Sequence, residues 1–140
     1  MEALRYLTDD ERQRLLGRGE QRSFAAGEVV LDAGSPQDAI YLLTTGTARV
    51  ERRDADGATV VIDELAAGEA FGEMSLLDGS VTSASVVAVD AVTVVILDLA
   101  AIADLLEDDP RLASHLYQSV AVMIARRLRD RTEELARHAH

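Results

Sequence analysis

Short apolar runs rich in β-branched residues, separated by Gly, Asp and Pro, fill the middle of the chain. After Phe24, they cover residues 29–31, 40–43, 48–50, 59–62, 84–89 and 92–97. Short strands with a turn signal every 8–12 residues or so are typical of an antiparallel sandwich, barrel or roll. Two turns are nearly explicit, at residues 33–36 and 54–57, and the second predicts a hairpin tip between Val50 and Val60.

The first segment has helical character. Thr8 is followed three residues later by Glu11, the spacing of a capping box, in which each residue satisfies a free backbone N–H group at the helix start. Leu15 and Leu16 supply apolar positions, and Gly17 then favours termination. The pattern predicts a short helix before the strands begin.

The pattern becomes helical again near residue 98. Asp98 is placed to cap a short helix, and Pro110 stands at a first-turn position that a longer helix tolerates. A helix over about 110–137 would be roughly 40 Å long, which is more than so small a domain can cover. We therefore expect part of it to pack against a second copy, through a seam of residues spaced by three or four: Tyr117, Val120, Ile124, Leu128, Arg131 and Leu135. The alternative is that this stripe packs only on its own roll.

Together these patterns predict an α+β fold: an antiparallel β-roll (a double-stranded β-helix or jelly roll) with an N-terminal helix and a long C-terminal dimerisation helix. We expect one domain over residues 1–140. Its parts would be an N-terminal helical segment at 1–22, the roll at 23–98 and C-terminal helices at 99–137.

Composition narrows the class of protein. Of 140 residues, 48% are hydrophobic and 28% charged, which is typical of a globular domain with a real core. Cysteine is absent, so disulfides and thiolate metal sites are excluded. The charged N-terminus does not read as a signal peptide, and the apolar stretch 86–97 is too short to cross a bilayer. We expect a soluble, cytoplasmic protein with no membrane partner.

The net charge of −11 is unevenly distributed. Residues 1–109 carry 22 acids and eight Arg, whereas residues 110–140 carry six Arg and three acids; there is no Lys. An acidic roll repels nucleic acid, because affinity for DNA depends on neutralising its phosphates. We therefore expect no nucleic-acid partner, and the simplest interpretation of the basic tail is a solvated helix face with its own ion pairs.

The segment with candidate chemistry is 71–86. Gly72 permits close backbone approach, and residues 73–77 can form one helical turn whose free N–H groups make an anion site. The carboxylate of Glu73 beside that turn could accept hydrogen bonds from a sugar hydroxyl. The alternative is a plain connection between two strands.

The wider spacing of motifs resembles the family of cyclic-nucleotide-binding domains. The matching roll residues are Phe24, Gly27-Glu28-Val29-Val30, Gly34, Ala39-Ile40-Tyr41-Leu42-Leu43 and Gly46-Thr47-Ala48-Arg49-Val50. The family's phosphate-binding cassette corresponds to 71–84: it begins with Phe71-Gly72-Glu73-Met74-Ser75-Leu76-Leu77, and Ser83-Ala84-Ser85-Val86 is similar to its end. Residues 123–128 are similar to the dimerisation helix of the catabolite activator protein group.

The resemblance implies a role for each matching residue. Phe71 opens the cassette, Gly72 and Glu73 would hold the ribose 2′-hydroxyl, and N–H groups near Met74 and Ser75 would meet a cyclic phosphate. Ser83 would add a hydroxyl to that phosphate, while Arg131 and Thr132 would approach the base. The implied ligand is cAMP or cGMP, with no other cofactor and no metal.

One position departs from the family pattern. The residue before the Ser83-Ala84 pair is an arginine in members that bind cyclic nucleotides, and here it is Thr82. Arg donates two charge-assisted hydrogen bonds to a phosphate, whereas Thr donates one neutral bond. No basic residue lies between Arg53 and Arg111, so a replacement would have to come from elsewhere, such as Arg126, Arg127 or Arg131.

An enzyme is not expected. The three histidines, His115, His138 and His140, all lie outside the predicted roll, and neither a metal cluster nor a nucleophile–base pair is evident. His115 is interpreted as a surface or seam residue. Activators of the resembling group continue into a helix-turn-helix region that does not follow here before His140, unless the chain is a fragment of a longer protein.

Two hypotheses stay open. The first is a homodimeric sensor that binds a cyclic nucleotide or related anion weakly and signals to a separate, unknown effector protein. The second is a dimerisation or protein-interaction scaffold whose ligand site has decayed. Gly72, Glu73 and Ser83 favour the first hypothesis, because a decayed pocket has no need of a carboxylate facing the sugar. Thr82 favours the second.

Overall fold

The computed structural model describes residues 1–35, 38–72 and 84–138. A 3-10 helix at Glu2–Leu4 and helix α1 at Asp9–Leu16 precede the strands. The strands are β1 Glu20–Phe24, β2 Val29–Leu31, β3 Ala39–Thr45, β4 Thr47–Arg53, β5 Thr59–Ala66, β6 Ala70–Phe71, β7 Ser85–Ala88 and β8 Val92–Asp98. Helix α2 at Leu99–Asp108 and helix α3 at Pro110–His138 follow.

The strands form two four-stranded antiparallel sheets. The first has the order β1-β8-β3-β6 and the second β2-β7-β4-β5. This arrangement, with helices at both ends of the chain, confirms the predicted α+β roll. Strand β1 begins at Glu20, earlier than residue 23, where the roll was expected to start. Polar residues fill most of β1, so its apolar signal is confined to Phe24.

The β4–β5 hairpin has the predicted tip. The Asp54 carboxylate accepts hydrogen bonds from the N–H groups of Asp56 and Ala58, both at 2.9 Å, and the Asp54 N–H donates to the Ala58 carbonyl. Gly57 adopts the left-handed φ of 81° that closes the turn. A side chain that folds back on its own backbone therefore fixes the register of the two strands.

Two hydrophobic clusters hold the fold together, on the two sides of the first sheet. Alternation along β3 separates them: Ile40 and Leu42 face the helices, while Tyr41 and Leu43 face the interior of the roll. The helix-side cluster joins the N-terminal segment to α3 through the buried residues Ala3, Leu4, Leu7, Leu15, Leu112, Leu116, Val120 and Met123. The roll cluster includes Phe71, Val86 and Val94.

The helix caps follow the sequence in two of three cases. Thr8 and Glu11 form the reciprocal capping box of α1. The Asp109 carboxylate accepts the Leu112 N–H at 3.1 Å, so that an aspartate caps α3 directly before Pro110. Asp98 occupies the N-cap position of α2, but among the described residues its side chain makes no capping hydrogen bond, contrary to expectation. Within the described ranges, no helix is long and apolar enough to cross a membrane.

The expected seam on α3 is divided between two environments. Val120 is buried in the domain's own core and Ile124 packs against that core. Tyr117 and Leu128 face solvent, with 41% and 66% of their surface exposed. The side chains of Arg131 and Leu135 lie outside the description. Only part of the stripe therefore remains exposed for a second chain.

A glycine substitution tests the packing at the β3–β4 turn. Gly46 has φ 84°, and a methyl group there would run into the Ala91 carbonyl and lie 2.8 Å from Val92 Cγ1. Gly46→Ala should lower the free energy of unfolding by about 2–5 kcal/mol, because a left-handed penalty of about 1–2 kcal/mol adds to overpacking of about 1–3 kcal/mol. Urea denaturation measures the change.

The matched control is Gly57→Ala. Gly57 has nearly the same φ, 81°, but within the described structure no heavy atom lies within 4 Å of its added methyl group. This variant should show only the left-handed penalty. Equal losses in the two variants would contradict the proposed clash at Gly46.

Candidate ligand-binding site

The entry to the candidate cassette is held by strand β6. Ala70 and Phe71 pair with Leu42 and Tyr41 of β3, and Gly72 follows with φ 76°. A left-handed φ at this point disfavours any residue with a side chain, which accounts for the glycine that sequence analysis singled out. The predicted residues Glu73, Met74, Ser75, Thr82 and Ser83 lie outside the described residues.

An aromatic stack fixes Phe71 at the roll interior. Its ring lies on that of Tyr41, with centroids 5.0 Å apart and planes inclined by 13°. Only 4% of Phe71 is exposed. Burial, followed by the nearby charge of Asp38, raises the pKa of Tyr41 above its ordinary value, so its hydroxyl stays neutral. The entry to the cassette therefore rests on a rigid, uncharged support.

The end of the cassette is anchored in the other sheet. Ala84 is buried, and the Ser85 hydroxyl accepts the Ala33 N–H at 2.9 Å. Because β6 belongs to the first sheet and β7 to the second, residues 73–83 connect the two sheets. Both ends of the candidate phosphate segment are thus fixed to the scaffold.

Helix α3 contacts the entry directly. The Ala70 N–H donates to Met123 Sδ at 3.4 Å, and Arg127 Nη2 donates to the Ala70 carbonyl. The same Arg127 nitrogen lies 3.6 Å from Met123 Sδ. The half-buried guanidinium of Arg127 therefore lies beside Ala70, which precedes Gly72 by two residues.

The structure separates the arginines that the sequence offered as replacements for the missing one. Arg126 points to the N-terminal segment and pairs with Glu2 at 3.0 Å. Arg127 reaches β6, whereas the side chain of Arg131 is not described. Thr132 is exposed, and its hydroxyl donates to the Leu128 carbonyl at 2.8 Å, one turn back along α3. The sequence alone does not show which of these arginines reaches β6, because that depends on how α3 is rotated about its axis relative to the roll.

A separate cleft lies where β1, β3, β8 and α2 meet. It has a volume of about 370 Å³ and borders Tyr41 and Ile96. Its two arginines already have partners, since Arg18 pairs with Asp104 at 2.8 Å and Arg22 with Glu20 at 3.4 Å. Three acids share its lining, Glu20, Asp38 and Asp98, so the cleft offers an anion no excess of positive charge.

One contact was not anticipated from sequence. His115 Nδ1 lies 2.7 Å from Glu11 Oε1, and only 3% of Glu11 is exposed. His115 therefore joins α3 to α1 and is not simply a surface or seam residue. Across the described ranges, no group of three or more His, Cys, Asp or Glu residues could hold a metal ion.

The fold and site define a class of protein, and comparison with known proteins agrees. Residues 21–109 match the family described as "Cyclic nucleotide-binding domain". This chain belongs to the cyclic nucleotide-binding domain family, as a domain of the kind that regulators carry.

Two relatives and one solved structure illustrate the kinds of protein that this chain resembles. The chain is 33% identical over 129 residues to the cyclic AMP receptor protein of Thermus thermophilus, covering 92% of this chain and 58% of that protein. The crystal structure of the Thermus thermophilus catabolite activator protein superposes with a TM-score of 0.80 and 29% identity, covering 99% of this chain and 63% of that one. Glutaminase 2 of Bradyrhizobium diazoefficiens is 31% identical over 122 residues, covering 87% of this chain and 19% of that protein.

The chain spans about half the length of the curated regulators it matches. In Glutaminase 2 the shared region makes up a still smaller share of the whole protein, 19%. The likeness therefore concerns one domain that occurs in proteins of different overall kinds.

Proposed function

We propose that this domain is a non-enzymatic regulatory sensor that binds a cyclic nucleotide, cAMP or cGMP, with modest affinity, through a site in which Arg127 compensates for Thr82. The observation that carries the proposal is the contact between the Arg127 guanidinium and the Ala70 carbonyl. This contact brings a cation to the entry of the segment that the family uses for phosphate.

The charge of the roll favours a cation that comes from another element. Residues 54–110 contain no Lys or Arg, so the roll itself offers a phosphate no cation after Arg53. Backbone N–H groups can hold an anion, but a half-buried guanidinium adds charge-assisted bonds where water screens less. Arg127 already donates to the Ala70 carbonyl, so a phosphate would share its donor groups with that contact. We therefore expect weaker binding than in members that retain that arginine.

The competing function is a ligand-free scaffold. Thr82 favours it, as do the exposed Tyr117 and Leu128 on α3, which suit a contact between two copies. Homodimerisation through α3 is compatible with both functions, so a dimer alone does not decide between them. The fixed entry at Phe71 and Gly72 favours the sensor.

The partners of the whole protein are proposals as well. We propose an effector protein that responds to this domain, in a cytoplasmic setting. Some relatives are named transcriptional regulators. We therefore limit the expectation of no nucleic-acid partner to this acidic domain. Most of Glutaminase 2 lies outside the region that it shares with this chain, which supports a regulatory role for the shared domain.

Calorimetric titration with cAMP and cGMP tests the proposal. The unmodified protein should bind at least one of them, and Arg127→Gln should weaken that binding at least about tenfold, since removing one partner of a buried charged contact costs about 2–5 kcal/mol. Arg126→Gln is the matched control: it is the adjacent arginine, paired with Glu2, and should leave affinity within about twofold. No heat with either nucleotide, or equal effects of the two variants, would contradict the proposal.

Restoring the family residue gives a second test. Thr82→Arg should raise affinity by at least about tenfold, because a bidentate, charge-assisted contact replaces one neutral donor. The control is Thr82→Gln, which has no charge and should leave affinity nearly unchanged. If Thr82→Arg binds no better than the unmodified protein, the pocket does not place a phosphate at this point.

The dimer has an independent test. Leu128→Glu puts a charge at the exposed part of the seam and should shift the protein from dimer to monomer in light scattering. Gln118→Glu adds the same charge at an exposed position on another side of α3 and should leave the dimer intact. An unchanged mass for Leu128→Glu would show that the seam is assigned wrongly.

A further inference from the structure

One face of α3 carries a row of four residues at a spacing of four: His115, Ser119, Met123 and Arg127. Positions spaced by four lie above one another on a helix. Each member of the row makes a contact with another element of the chain. We call this row the α3 stripe.

The stripe begins at Glu11 of α1. Its Oε1 atom lies 2.7 Å from His115 Nδ1 and also accepts the Thr8 N–H at 2.9 Å. An ionised carboxylate only accepts hydrogen bonds, so the imidazole carries its proton on Nδ1 here. The capping box of α1 and the attachment of α1 to α3 therefore share one oxygen atom.

The charge of Glu11 persists in its buried position. Burial alone would raise the pKa of this carboxyl, but hydrogen bonds from Thr8 and the contact with His115 outweigh it, and the pKa falls below its ordinary value of 4.5. Because its pKa is lowered, the ionised Glu11 carboxylate stabilises the fold at any pH above the ordinary pKa. The stabilisation is lost as the pH falls through the lowered value.

Other charged groups lie around this contact. Arg14 joins α1 to the start of α3 through Asp109 at 2.7 Å and also bonds Asp10 at 2.9 Å. Arg12 pairs with Asp9 on the solvent side of α1, and Arg111 is exposed one turn before His115. The pairs of Arg12 and Arg14 already involve other acids, which leaves His115 and Thr8 as the groups that act on Glu11.

The second member of the stripe is fully buried. Ser119 Oγ accepts the Tyr6 N–H at 3.0 Å and donates to the His115 carbonyl at 2.7 Å. The N-terminal segment is also tied to the turn before β6, where the Ala3 N–H donates to the Gly68 carbonyl at 2.9 Å. This segment therefore spans the distance between α1 and the strand that leads into the cassette.

The last two members hold both backbone polar groups of Ala70. Met123 accepts its N–H, and Arg127 donates to its carbonyl. A shift or rotation of α3 that broke the Glu11 contact would move the whole face, because a helix behaves as one rigid element over about three turns.

We infer that the α3 stripe couples the Glu11–His115 contact to the docking of β6, so that α1 controls the entry of the cassette from the far end of the stripe. The coupled element is α3 itself, in a docked and a less docked position. The coupling involves only the chain's own residues and does not depend on a bound nucleotide.

Hydrogen–deuterium exchange without ligand tests the coupling. Glu11→Gln keeps the shape of the side chain but removes its charge, which weakens its hydrogen bonds with His115 and Thr8. Exchange of the Ala70 and Phe71 amides should rise at least about fivefold, while the amides of β4, in the other sheet, stay unchanged. Asp9→Asn is the control, because it removes an exposed carboxylate from the same helix.

A second variant enters the stripe at its next member. Ser119→Ala removes the acceptor for the Tyr6 N–H and should raise exchange at β6 in the same way. Faster exchange in α1 with unchanged exchange at β6 would overturn the inference, since the contact would then be purely local. A uniform rise at β4 and β6 would overturn it as well, because it would report loss of global stability.

Discussion

The docking of α3 on the roll is the interaction on which the rest of the structure depends. Leu112, Leu116, Val120 and Met123 bury one face of this helix against the N-terminal segment and the outer side of the first sheet. Because that face is tightly packed and the helix is rigid, the polar residues beside it on α3 have fixed positions relative to the roll. Arg127 reaches β6 for this reason, and the candidate site therefore depends on core packing as much as on its own residues.

Much of the fold could be predicted from local signals. The capping box at Thr8, the aspartate before Pro110 and the hairpin tip at residues 54–57 are interactions between near neighbours, which a sequence displays directly. The polar strand β1 gave a weak signal, and the Asp98 side chain did not cap. Neither the choice of Arg127 over Arg126 nor the contact between His115 and Glu11, 104 residues apart, could be predicted, because both depend on how α3 packs.

Under the proposed function, a domain with Thr82 in place of the family's arginine can still bind a cyclic phosphate. A cassette supplies backbone N–H groups and a fixed position, and the cation can come from any element that reaches the same place. In the proposed site, the acidic roll would leave that task to α3. This helix also carries the exposed residues proposed for dimerisation. The ligand, the partner copy and the N-terminal segment would therefore all contact one element, and each could shift the populations of its positions.

The central claim is that Arg127 meets the phosphate. A crystal structure of the protein grown with excess cAMP or cGMP tests it most directly. We expect a nucleotide in the roll, with its cyclic phosphate at residues 71–83 and the Arg127 guanidinium within hydrogen-bonding distance of a phosphate oxygen. A cavity filled by the protein's own side chains, or a bound phosphate that Arg127 does not touch, would contradict it.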